Sequence, residues 1–93
     1  ILYRKAESYR LANYLNDAIA AYKELATVDP QKFNHVWYWK AVCERALGRY
    51  ADAETSIQNY QANATANDPY KEAAEKELAT IRFIRSQLNR PDT

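Results

Sequence analysis

Catalysis needs convergent reactive groups, and this chain has few side chains that could supply them. His35 is the only histidine and Cys43 the only cysteine. No Cys/His set at metal-ligand spacing can be written, and Cys43 has no second thiol for an internal disulfide. The carboxylates are scattered, with no nucleophile placed beside a base. One glycine in the whole sequence rules out a glycine-rich phosphate loop. These counts imply a protein that is not an enzyme and needs no cofactor or metal. His35 reads as a surface histidine at the start of a helix, and Cys43, beside Ala46 and Leu47, as a small buried filler.

The chemistry that remains is recognition. Two tryptophans, eight tyrosines and two phenylalanines make 13 % of the residues aromatic. Trp37, Tyr38 and Trp39 are consecutive, and on a helix three consecutive side chains point in directions about 100° apart. They cannot all enter one core, so at least one must reach solvent or a partner. Lys plus Arg number 13 against 12 Asp plus Glu, a net charge of +1. That balance gives no field to draw the chain onto nucleic acid or anionic lipid. No apolar run approaches the ~20 residues of a membrane-spanning helix, so direct membrane insertion is not expected.

The elements that position these residues follow from apolar spacing. Few glycines and prolines among many Ala, Leu, Glu, Lys, Arg and Gln favour an all-α chain. Its 93 residues allow one domain with a modest core. Helical periodicity predicts helices over about 2–12, from a cap at Asn16 or Asp17 to 28, over 34–47, over 50–64, and a long amphipathic one over 68–90. Asn13 and Gly48 stand where two of them must stop and reverse, and both tolerate the left-handed conformation. Asp68 and Pro69 should open the last helix, whose stripe is Tyr70, Ala74, Leu78, Ile81, Ile84 and Leu88. Lys40 and Glu44 are one turn apart and should pair at the edge of the packed helices. Asn63-Ala64-Thr65 fits a glycosylation sequon, a match that chance explains. The chain opens inside a predicted helix on Ile1, as a segment of a longer protein would.

Shifting the sequence by 35 residues places Ala6 on Ala41, Arg10 on Arg45, Asn13 on Gly48, Ala18 on Ala53, Tyr22 on Ile57 and Leu25 on Tyr60. A period in the thirties without strand-like alternation marks stacked helical hairpins. The units are 1–33 and 34–67, followed by a capping helix at 68–90.

The two units resemble the tetratricopeptide repeat. The first carries Leu2, Ala6, Tyr9, Asn13, Leu15, Ala18, Tyr22, Leu25 and Pro30 at that pattern's positions. The second carries Trp37, Ala41, Gly48, Tyr50, Ala53, Ile57 and Tyr60. Lys5, Lys40, Glu44 and Tyr60 depart from it. The resemblance implies an α-solenoid of two hairpins plus a cap, acting as a scaffold that binds a protein or peptide on its concave face. On that face it places Tyr3, Glu7, Arg10, Tyr38, Trp39, Val42 and Arg45. Family members that clamp a peptide carboxylate use Lys and Asn at groove positions held here by Tyr3, Glu7 and Trp39, so that clamp is not implied. If Trp39 stands free in the groove, Trp39→Ala should weaken a partner and leave the melting temperature nearly unchanged. The tail from Asp68 to Asp92 is also similar to the segment closing the tetratricopeptide region of certain bacterial envelope proteins. That likeness implies a periplasmic setting, and a structural spacer as the other role.

Overall fold

The computed structural model describes residues 2–29 and 32–88, without the side chains of Leu2 and Tyr3. The expectations for Tyr3, Pro30 and the tail beyond Leu88 lie outside the described residues. Five helices and no strand are present among the rest: α1 (Leu2–Leu11), α2 (Leu15–Val28), α3 (Val36–Ala46), α4 (Tyr50–Asn63) and α5 (Lys71–Leu88). Each packs chiefly on its neighbours in sequence, and α3 also touches α5. The extents are 50 × 31 × 18 Å. The fold is all-α.

The two reversals are the same device in register. Asn13 has φ 66° and Gly48 φ 79°. The amide after each bonds back to a carbonyl five residues earlier, Tyr14 to Tyr9 at 2.8 Å and Arg49 to Glu44 at 2.8 Å. Asn13 reaches Arg10 at 3.1 Å and Gly48 reaches Arg45 at 3.0 Å. This double closure satisfies the last carbonyls of α1 and α3 and needs a left-handed residue at its centre. It also corrects one expectation. Asn16 and Asp17 cap nothing, because so tight a turn starts α2 at Leu15, with Tyr14 at the cap and no side-chain bond. Asp17 still lies in the first turn, where the helix dipole favours an acid.

Longer connections precede α3 and α5. Val36, Trp37 and Tyr38 bond to Phe33, Asn34 and His35 at 3.0–3.2 Å, a 3₁₀-like turn that delays α3 by two residues. Asn34 is buried there and its Nδ2 donates to the Tyr60 carbonyl at 3.1 Å, tying the connection to α4. Before α5, Asp68 Oδ1 accepts the Tyr70 amide at 2.9 Å and the Tyr60 hydroxyl.

Two apolar clusters form the core. Ala6, Ala18, Ile19, Ala21, Tyr22, Leu25, Ala26, Val36 and Cys43 make the first; Ala41, Ala53, Ile57, Tyr60, Ala74, Leu78 and Ile81 make the second. Half-buried Trp37 packs on both. The repeat register is visible in burial, since Ala6 and Ala41, Ala18 and Ala53, Tyr22 and Ile57 are all fully buried. α5 covers the second cluster through Ala74, Leu78 and Ile81, but Leu88 is 68 % exposed and so drops out of the predicted stripe. The last turn is held to α4 by a polar contact instead, Arg85 Nη1 lying 2.6 Å from Glu54 Oε1.

The Lys40–Glu44 pair is a second correction. It lies inside rather than at the edge: Glu44 is 2 % exposed, with Lys40 Nζ at 2.8 Å from Oε2. Ser56 Oγ donates to Glu44 Oε1 at 2.6 Å and receives Lys40 Nζ at 3.1 Å. A buried carboxylate is tolerable only with such bonds, and the serine on α4 supplies the one the lysine cannot.

Candidate functional site

The predicted binding residues on α1 and α3 meet across α2 and the start of α5. Arg10 is the centre. Its Nη2 lies 2.6 Å from Glu7 Oε2, its Nε donates to the Tyr22 hydroxyl at 3.1 Å, and its guanidinium sits 4.1 Å over the Trp39 ring. The Tyr22 hydroxyl donates to Glu7 Oε1 and closes the triangle. Burial opposes the Arg10 charge, but the bonds from Glu7 and Tyr22 outweigh it and its pKa is raised. Burial, then the Glu7 bond, holds the Tyr22 hydroxyl well above its usual range.

Beyond Trp39 the surface is aromatic. Trp39 meets Tyr38 edge-on at 5.0 Å and Tyr70 edge-on at 5.9 Å, and Tyr38 lies 5.5 Å from Tyr70. His35 stacks on Tyr70 at 5.8 Å, and burial lowers its pKa. Offset and edge-to-face contacts at such separations are attractive beyond the area they bury. Trp37, Tyr38 and Trp39 all end up half-buried. The directional argument holds in a softened form, with no ring fully inside and none fully free.

Val42, also half-buried, lies one turn on from Tyr38. Arg45 is bound to Glu77 of α5. Glu7, Arg10, Tyr38, Trp39, Val42 and Arg45 are thus placed on helices that pack in sequence, while the Tyr3 side chain lies outside the described residues. Neither arginine is bare. The two expected to grip a partner are neutralised by Glu7 and Glu77, so what this face offers is aromatic and close to neutral.

Sequence reasoning missed Tyr22, Tyr70, His35 and Glu77 as members of the cluster. Tyr22 reads as core from its register, and it is core, yet its hydroxyl reaches the surface pair. Glu77 sits between Ala74 and Leu78 on the edge of the apolar stripe of α5, a position from which a carboxylate meets the neighbouring helix.

Cys43 is buried, and burial pushes its thiol up to about 11, which leaves it protonated and a poor nucleophile at neutral pH. Among the described residues no group of three His, Cys, Asp or Glu is placed to hold a metal ion, and no helix is long and apolar enough to cross a membrane. No protein-family model, curated protein or solved structure matches this chain.

Proposed function

We propose that the chain is a tetratricopeptide-like stack of two hairpins closed by α5, and that it works as a scaffold binding a protein or peptide on the face formed by α1 and α3. The observation that carries this reading is the aromatic strip Tyr38–Trp39–Tyr70, kept half-exposed and held in place by Arg10. Trp, Tyr and Arg dominate interface energies because they bury large rigid areas at low entropic cost. With Arg10 and Arg45 already paired, the partner this face suits is an uncharged extended segment that lays apolar groups against rings.

A second reading is a structural spacer within a larger envelope protein. The internal pairing of both arginines favours it, since charges spent inside the molecule are not available to a partner. Panning a random peptide library on the chain separates the two. Scaffold function predicts clones that bind the parent protein and are lost on Val42→Lys, a half-buried position on the proposed face, at unchanged circular dichroism. An absence of clones above background supports the spacer, and clones indifferent to Val42→Lys remove the face.

A further inference from the structure

The open outer face of the first hairpin carries a groove unrelated to the aromatic strip. Lys5 and Tyr9 of α1 and Asp17, Ala20, Ala21 and Glu24 of α2 line it, and its volume is 220 Å³. Shift each of these by 35 and the result is Lys40, Glu44, Asp52, Thr55, Ser56 and Asn59. All six line a second groove, of 230 Å³, between α3 and α4. That groove is walled on a third side by α2, which packs on α3 and contributes Ile19, nearly buried, with Lys23 one turn on at the rim. The first groove has no such helix among the described residues.

From this equivalence we infer that the α1·α2 groove is a docking site for an amphipathic helix of a partner protein, one presenting an aliphatic residue and, four positions later, a lysine, as α2 presents Ile19 and Lys23 to α3 and α4.

The differences between the two grooves sharpen the chemistry. The floor becomes apolar, with Ala20 and Ala21 where the second groove has Thr55 and Ser56, so a helix can approach closely without stranding hydroxyls. The rim becomes more acidic. Asp52 is paired with Arg49 at 3.4 Å, whereas the counterpart of Arg49 is Tyr14, which leaves Asp17 in no ion pair among the described residues. The neutral Asn59 is replaced by Glu24, also in no ion pair there. Lys5 is turned over the Tyr9 ring at 5.8 Å. A lysine arriving where Lys23 sits in the second groove would meet two carboxylates in no ion pair, whereas both carboxylates of the second groove are neutralised, Glu44 by Lys40 and Asp52 by Arg49. Charge complementarity therefore selects a cationic helix, and a second copy of this chain cannot supply it from α2, whose docking face is spent on α3.

The inference uses the same repeat register as the proposed scaffold but a different face, and the test keeps them apart. The probe is a peptide of residues 15–28, stapled between the positions of Ala20 and Glu24 because an isolated helix this short is marginal in water. It is titrated into the isotope-labelled chain. Saturable amide shifts at Lys5, Tyr9, Ala20, Ala21 and Glu24 are expected. Ala20→Trp, at an exposed position that fills the groove, should weaken binding about tenfold or more, as should Asp17→Lys with Glu24→Lys. A peptide with Lys23→Glu should bind worse than its parent. No saturable shift, binding undiminished in both protein variants, or shifts confined to α3 and α4 as the peptide displaces α2, would each overturn the proposal. So would self-association abolished by Ala20→Trp, since the occupant would then be a second copy. Val42→Lys should leave this titration unchanged, so loss of the aromatic-face reading would not carry this one with it.

Discussion

Breaking the buried Lys40–Glu44–Ser56 triangle from either end should give unequal losses. In Lys40→Ala, Glu44, 2 % exposed in the parent, keeps only the Ser56 hydroxyl, so a carboxylate is left inside with its counter-charge gone. Removing one member of a buried pair costs about 3–5 kcal/mol, and this variant belongs at the upper end. In Glu44→Ala the stranded group is the lysine, whose side chain is 12 % exposed and whose Nζ lies 5.5 Å over the Trp37 ring. A flexible stem near the surface can swing its ammonium to water, which places this loss near the lower end, about 3 kcal/mol. For a domain of this size, 3–5 kcal/mol is a large share of the roughly 5–15 available. It corresponds to a fall in melting temperature of roughly 15–30 °C. Replacing both partners by Met and Leu should be neutral or stabilising, because the pair's desolvation cost vanishes with it. Urea unfolding of the two single variants and the double variant, read as a thermodynamic cycle, supplies all three numbers. Glu44→Ala costing more than Lys40→Ala, or both costing under about 1 kcal/mol, would refute the interior placement of the pair.

Trp39→Ala should cost about 2 kcal/mol, from lost packing on Tyr38 and Tyr70 and the lost Arg10 stack, so thermal melts should show a clear drop rather than the near-unchanged value a free groove residue would give. Asp68→Ala removes the acceptor of both the Tyr70 amide and the Tyr60 hydroxyl and should cost about 1–3 kcal/mol, with Asp68→Asn recovering much of it, as read by urea titration. Cys43 should react with a thiol reagent at pH 8 only as fast as the chain opens. Its thiol ionises in the unfolded chain near 9.0 but in the folded one only near about 11. The native state therefore holds the extra proton between those values, and stability is full below pH 9 and falls as pH rises toward 11. Cys43 should account for about 3 kcal/mol of the stability lost across that window, with the raised Tyr22 and Tyr60 hydroxyls adding to the loss above pH 10. Chemical denaturation at stepped pH reads that share as the difference between the parent and Cys43→Ser, whose fall should be shallower and should begin only near pH 10.

Much of the fold was legible because the repeat fixes it twice. Ala6 and Ala41 must be small where helices cross closely, and Asn13 and Gly48 must be residues that tolerate positive φ, so each copy corroborates the other. Caps were less legible. Asn16 and Asp17 are good cap residues by type, but a two-bond backbone turn leaves no place for a cap there. The binding face itself stays a proposal, but the pairing state of its residues can be compared with expectation. The resemblance implies a common face for Glu7, Arg10, Trp39 and Arg45, yet whether Arg10 faces solvent depends on the Tyr22 hydroxyl, which belongs to another helix 12 residues away. The same limit hid the Arg45–Glu77 pair, 32 residues apart, and the interior position of Glu44, which hangs on Ser56. Long-range polar pairing leaves no periodic trace in a sequence, whereas apolar packing does.

The most direct test of the scaffold reading is a backbone-amide and indole NMR titration of the labelled chain with a peptide selected by panning. The account predicts saturable shifts centred on Glu7, Arg10, Tyr38, Val42 and Arg45, with the Trp39 indole moving in parallel and with little dependence on salt, because both arginines are already paired. Shifts confined to the back of α5 around the exposed Phe83, or to the groove at Ala20 and Ala21, or strong screening by salt, would contradict it.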